Sequence, residues 1–268
     1  MSQTIMRNTI YSKAVWDRKI STGVWSISMA AFALMFAWVF EIYAGEITNF
    51  SDNFPAELSA VIGDLAAATT PAGFLAVELY SLFLPLIVAI VGITFGAAAI
   101  GKEEESGTLE LLLASPISRR KILVQKFGAI ATVLFVIPFA TWLGVVVGKS
   151  IFPFDVNVWH VALASFASFF LGMVYASAAF AGQSVSGKRG IGLGIGGGLL
   201  AVTYIADVVS KLVDRLEFLQ YISPFYYFDI SNVLFGNGRI GNFAVLAGLV
   251  AVFYTVVHIA FKNRDTGV

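Results

Sequence analysis

Residues 84–123 read LPLIVAIVGITFGAAAIGKEEESGTLELLLASPISRRKIL. From Leu84 to Ile100 there is no charged side chain, and with the residues before it this forms an apolar run over 74–100. A hydrocarbon core of roughly 30 Å needs about 20 helical residues, so the run reads as a membrane-spanning helix. Residues 101–123 differ in kind: three consecutive glutamates, a Gly-Thr step, a leucine-rich stretch far too short to span, and the basic run Arg119 to Lys121.

Runs of the first kind recur on either side. Apolar stretches over 22–44, 127–148, 159–182, 190–209 and 241–261 bring the total to six. Lipid offers no partners to backbone N–H and C=O groups, so these segments are helices that satisfy themselves. The fold class expected is therefore an all-α polytopic membrane protein with six transmembrane helices. Composition agrees: of 268 residues, 58% are hydrophobic and 13% charged, against about 25% charged in soluble domains. The first run is about twice the length of a signal-peptide apolar core and reads as a retained signal anchor. Cysteine is absent, which excludes disulfides and thiolate metal sites.

Loop charge sets the expected orientation, because Lys and Arg accumulate on the cytoplasmic side. Arg7, Lys13, Arg18 and Lys19 precede the first run; Lys102, Arg119, Arg120, Lys121 and Lys126 separate the second from the third. Lys188 and Arg189 lie between the fourth and fifth, and Lys262 and Arg264 come after the sixth. Segment 45–73 holds Glu46, Asp52, Glu57 and Asp64 and no basic residue. Both termini are thus expected inside. Residues 3–20 place Ile5, Met6, Thr9, Ile10, Trp16 and Ile20 near one helical face, as an interfacial helix along the inner leaflet would. Residues 210–235, aromatic and interrupted by Pro224, read as short helices dipping into the outer interface.

Within the opening stretch, Gly107 and Thr108 read as a helix start, with Thr108 as N-cap and Glu103, Glu104 and Glu105 near the positive end of the helix dipole. Ser115 and Pro116 stop that short helix, and Ser118 caps the next one. An ordinary solvated loop with positive-inside charges is the competing reading. Against it stand leucines that cannot span and need a surface to bury against.

Residues 69–126 resemble the ABC-2 type permeases, and especially their subgroup of polyketide antibiotic and multidrug exporters. The most specific part is Glu104, Glu105, Gly107 to Leu113, Pro116, Ser118 and Arg119. The ending Phe261 to Asp265 and the segment Ile222 to Asp229 also resemble that family, with Asn263 in place of an arginine. The resemblance implies a coupling helix over 103–116, inserted in a separate ATPase subunit through Glu103, Glu104, Glu105, Gly107, Thr108, Leu109, Glu110, Leu111, Pro116, Ser118 and Arg119. It implies a second cytoplasmic turn at 183–190 with Gln183, Ser184, Lys188 and Arg189. An outer gate is expected from Glu78, Pro224, Phe225, Tyr226 and Tyr227. ATP and magnesium would sit on the ATPase and no cofactor on this chain. The implied assembly holds two ATPase copies and a second permease, identical or related, in the inner membrane of a prokaryote. The implied function is export of an amphipathic or lipophilic substrate such as a drug, antibiotic, lipid or peptide.

Other features carry less. Gly182 to Lys188 fits a phosphate loop, but Arg189 stands where Ser or Thr is needed, and Gly192 to Gly197 has no surrounding βαβ unit. The glycine-rich fifth run offers Gly190, Gly194 and Gly198 as a packing face, within the chain or between subunits. Glu41 and Glu78 are carboxylates in apolar runs, both near the outer boundary. His160 and His258 have no companion at ligand spacing, and no nucleophile, base and orienting group converge, so neither metal nor catalytic chemistry is expected. Two rival functions remain at this point: a secondary transporter using Glu78 for proton coupling, and a non-transporting immunity or sensing partner.

Overall fold

The computed structural model describes residues 9–51, 69–109 and 117–262, with side chains up to Ile42 in the first of these ranges. All regular structure among them is helical. A short helix, α1 (Ile10–Trp16), precedes the long helices α2 (Lys19–Ser51), α3 (Pro71–Glu105), α4 (Arg119–Ile151), α5 (Val158–Ser186) and α6 (Arg189–Leu212). A 3-10 segment (Asp214–Ile222) and two one-turn helices, α7 (Pro224–Phe228) and α8 (Ile230–Leu234), lead to α9 (Ile240–Lys262). Helices α2, α3, α4, α5, α6 and α9 each contain a segment long and apolar enough to cross a membrane. They contain the six expected runs and extend past them by a few residues at most ends.

Helix α5 is the hub, touching α3, α4, α6 and α9, while α2 packs mainly on α4. The apolar windows of α3 and α5 are 72% buried and that of α9 only 11%, so α9 presents most of its apolar surface outward. Small residues allow the close crossings. A Cβ at Gly96 of α3 would stand 2.1 Å from the Ala176 carbonyl oxygen of α5, and one at Gly144 of α4 would stand 2.4 Å from that of Ala30 on α2. In lipid, where burial of apolar surface between helices gains little, such contact is what holds spans together.

The fifth span removes one of two alternatives for Gly190, Gly194 and Gly198, packing within the chain. Its internal contact is made by Gly192 and Gly196, against Ala179 and Ile93, whereas Gly190, Gly194 and Gly198 are exposed with nothing near them. The three sit half a turn or more away from the face that meets α5, so the packing face within the chain is offset by two residues.

Three further differences follow, two of them at boundaries. Of the segment 3–20 expected as an interfacial helix, Ile10–Trp16 forms a separate helix, Ile20 belongs to α2, and Ile5 and Met6 lie outside the described residues. Thr9 caps α1, and the Tyr11 hydroxyl meets Thr132 of α4 at 2.8 Å. Ser210 to Leu212 belong to α6. The third difference is inside α3, where Ala76–Phe83 is a π-helix carrying Glu78. In a regular α-helix the Pro85 ring would clash with the carbonyl four residues back, and the Leu84 N–H bonds instead to Leu79 five residues back.

Candidate functional site

The foot of α3 shows what the three glutamates do. The helix ends in a Schellman cap: Gly107 adopts φ +66°, its N–H donates to the Glu104 carbonyl at 3.1 Å, and the Thr108 N–H donates to that of Glu103 at 2.9 Å. Gly107 therefore stops a helix and does not start one. Glu103, Glu104 and Glu105 form the last turn of α3, so the coupling helix expected over 103–116 begins no earlier than Thr108. Leu109 is helical and partly buried against the core, while Glu110, Leu111 and Pro116 lie outside the described residues.

Three acids at a helix C-terminus oppose the dipole, so each needs compensation. Each finds it on a different helix. Glu103 is paired with Lys126 of α4, Glu104 accepts from Gln183 Nε2 of α5 at 2.7 Å, and Glu105 meets Arg189 of α6 at 3.4 Å. Lys126 is 8% exposed and Gln183 fully buried, so these partners are part of the packed interior. Successive residues on a helix point about 100° apart, which is how one turn reaches three neighbours. The expected second turn shrinks accordingly: Gln183 and Ser184 are buried in α5, Gly187 caps that helix with φ +73°, and Lys188 alone of the four is freely exposed. The phosphate-loop lookalike is simply this helix end.

Two more cations complete the rim. The Arg18 guanidinium lies 3.9 Å from the Phe95 ring centroid. Burial, with Arg189 nearby, pushes its pKa down to about 10 against the pull of Glu103 and Asp17, so it stays charged at neutral pH. Arg119 donates to the carbonyls of Phe261 and Lys262 at 3.2 and 3.3 Å, covering the C-terminus of α9. Ser118 caps α4 through the Lys121 N–H. Arg119, in the basic run of the opening segment, is thereby tied to the last helix.

The opposite end holds the ion pairs Lys149–Asp155 and Lys211–Asp207, but its helices meet mainly through aromatic rings and neutral hydrogen bonds. Ser223 caps α7 and donates to the Thr203 carbonyl of α6 at 2.8 Å, which seats Phe225 against Tyr204 and Tyr175. The Tyr175 hydroxyl meets Thr203 Oγ1 at 2.8 Å, and Tyr80 meets Ser165 at 2.7 Å. Tyr226 and Tyr227 stack edge to face, half-buried. Glu78 is also half-buried, but its π-helix touches α8, whereas α7, with Pro224 to Tyr227, lies on α5, α6 and α9. The five residues expected to form one outer gate thus fall into two neighbouring groups.

Sequence reasoning missed Asp207. It is 5% exposed on α6, with one carboxylate oxygen 2.7 Å from Lys211 and the other without a hydrogen-bond partner. An acid within an apolar run, two residues before its end, was itself the signal. His160 is placed by its Nδ1, 3.2 Å from the Leu234 carbonyl. Among the described residues no three His, Asp or Glu side chains gather as metal ligands would.

The sequence profile of the family described as ABC-2 family transporter protein matches residues 6–266. No individually curated protein matches the chain.

Proposed function

The chain belongs to the ABC-2 transporter family, and from that premise we propose that it is the permease of an exporter driven by a separate ATPase. The observation that carries the reading is the set of three consecutive glutamates at the end of α3, each partnered by a different helix, immediately before segment 108–116. A displacement of that segment pulls first on the last turn of α3. Through Lys126, Gln183 and Arg189 it is passed to α4, α5 and α6 together. Such an arrangement suits rigid-body tilting of packed helices rather than local bending.

In this reading the end that holds Glu103 to Glu105 faces the cytoplasm, with both termini. Segment 108–116 and Lys188 address the ATPase, while Glu103 to Glu105 act behind that surface as positioning residues. A second permease packs on exposed apolar faces, among them the Gly190, Gly194 and Gly198 stripe, and two ATPase subunits complete the assembly. ATP and magnesium belong to the ATPase. The cargo is amphipathic or lipophilic and is moved outward, past an outer end framed by Glu78, Pro224, Phe225, Tyr226 and Tyr227.

Co-purification with the ATPase encoded beside this chain tests the proposal. The expected result is a stable complex whose hydrolysis is no longer tied to transport when Glu104 or Glu105 is changed to Ala. Absence of any associated ATPase would overturn it. Transport that persists without ATP and collapses with the proton gradient would favour Glu78-dependent proton coupling instead.

A further inference from the structure

Beside the glutamate hub lies a cleft. Two adjoining cavities, of about 510 and 540 Å³, share Ala14, Asp17, Lys102, Glu103, Ser106 and Lys126 in their walls. They open between α1, the foot of α3 and the start of α4, with Arg189 of α6 at one side. Five cations line them, Lys13, Arg18, Lys102, Lys126 and Arg189, against three acids, Asp17, Glu103 and Glu105. Glu103 is committed to Lys126 and Glu105 to Arg189. That leaves Lys13, Arg18 and Lys102 facing Asp17 alone, an excess of positive charge in a partly enclosed space.

The floor is apolar. Phe95, Ala98, Ala99, Ala129 and Ile130 continue the cleft inward, and Phe95 lies about 10 Å along α3 from Lys102 at 1.5 Å per residue. The Arg18 guanidinium rests on the Phe95 ring at the junction of the two zones. Among the described residues it makes no ion pair. Trp16 and Ile20, exposed on the adjoining helices, mark the level at which an interfacial segment meets headgroups.

We propose that this cleft binds an anionic phospholipid, its phosphate held by Arg18, Lys102 and Lys13 and its glycerol and first methylenes laid over Phe95, Ala98 and Ile130. Phosphate is the anion that a guanidinium and two ammonium groups suit. Basic pockets between helices at the inner surface are where anionic headgroups gather. The apolar floor separates a lipid from free phosphate, which has no use for it. Bound there, the lipid would bridge α1 to the turn that carries the glutamates, and so bear on the same helices as the ATPase.

The test uses the full-length chain purified in a neutral detergent. Its thermal unfolding is followed while short-chain phosphatidylglycerol, phosphatidylcholine or inorganic phosphate is added. The expected result is saturable stabilisation by phosphatidylglycerol alone, with half-saturation shifted about fivefold by Lys102→Gln and further by Lys102→Gln with Lys13→Gln. Lys102 and Lys13 are exposed, so these variants test the site without the packing loss that Arg18→Gln brings. Equal stabilisation by phosphatidylcholine, or an unshifted response in the variants, would overturn the proposal. An equal effect of inorganic phosphate would reassign the cleft to a free anion and overturn the lipid. Assignment of this rim to the inner leaflet rests on the proposed orientation, but the binding measurement needs neither orientation nor ATPase. Its failure therefore leaves the permease reading intact, and failure of the ATPase to associate leaves the cleft intact.

Discussion

The two ends of this helix bundle are held by different physics. At the foot of α3, contact between helices runs through charge: Glu103 to Lys126, Glu105 to Arg189, with Gln183 bridging to Glu104. At the other end it runs mainly through rings and neutral donors: Phe225 on Tyr204, Tyr175 to Thr203, Ser223 to the Thr203 carbonyl. Of the two ion pairs, Glu103–Lys126 is largely buried, while Glu105–Arg189 lies near water, where a pair is worth little and its partners can exchange. Buried hydroxyl bonds and packed rings are short-ranged and tolerate little displacement. The difference teaches where motion is cheap: at the charged end the exposed Glu105–Arg189 pair can re-form as the helices tilt, while the buried contacts of the aromatic end tolerate little displacement.

The contrast is easiest to break at Glu103. Glu103→Ala strands the Lys126 ammonium in the interior, and a cost of about 2–3 kcal/mol is expected, below the range for a fully buried pair because Glu103 is partly exposed. A lowered unfolding midpoint in detergent, largely restored by adding Lys126→Met, is the predicted pattern. A single variant as stable as the parent would mean the charged end is not packed through this pair.

At the aromatic end, Ser223→Ala removes both the cap of α7 and the bond to α6. The expected loss is about 1–2 kcal/mol, read as faster proteolysis within 213–235 at unchanged global topology. Tyr175→Phe should cost about 1 kcal/mol, because Thr203 keeps its own bond to the Leu199 carbonyl at 2.7 Å. If either variant uncoupled ATP hydrolysis from transport while remaining folded, the division of labour between the ends would fail.

Arg189→Gln sharpens the comparison from the other side. The pair with Glu105 is largely exposed, so stability should change by less than about 1 kcal/mol. Coupling to the ATPase should nevertheless weaken, and more so at low salt, where the pair is least screened. Silence in both measurements would reduce the pair to an incidental surface contact.

The smallest effect expected lies between α4 and α5, where Lys149 donates to Asp155 at 2.8 Å and holds that carboxyl below the usual carboxylate range. The folded-state value is the depressed one. The contribution is therefore present above the unfolded pKa of about 3.9 and is lost as pH falls through the folded value. Unfolding midpoints of the parent and Lys149→Met should converge as pH is lowered from 6 toward 3. Midpoints that stay parallel would show that the pair contributes nothing.

Much of this was legible in residue order. Spans announce themselves because lipid demands about 20 apolar residues and a self-satisfied backbone, and neither demand depends on neighbours. That is why six helices and the cap at Ser118 could be read in advance. Gly107 could not be assigned in the same way. A glycine with threonine after it suits the end of one helix as well as the start of another, and the choice rests on carbonyls of Glu103 and Glu104 that become available only if α3 continues that far. The glycines of α6 were legible as a packing feature but not by face, since which side meets α5 depends on how the two helices cross.

Sequence alone, then, settled the class of the molecule, the number of its spanning segments and the odd character of residues 101–123, because hydrophobic length and charge are local properties. Only the tertiary structure decided what the three glutamates are for. Their partners, Lys126, Gln183 and Arg189, are 23, 79 and 84 residues away, and nothing short of packing four helices together could bring a consecutive acidic triplet to three different neighbours.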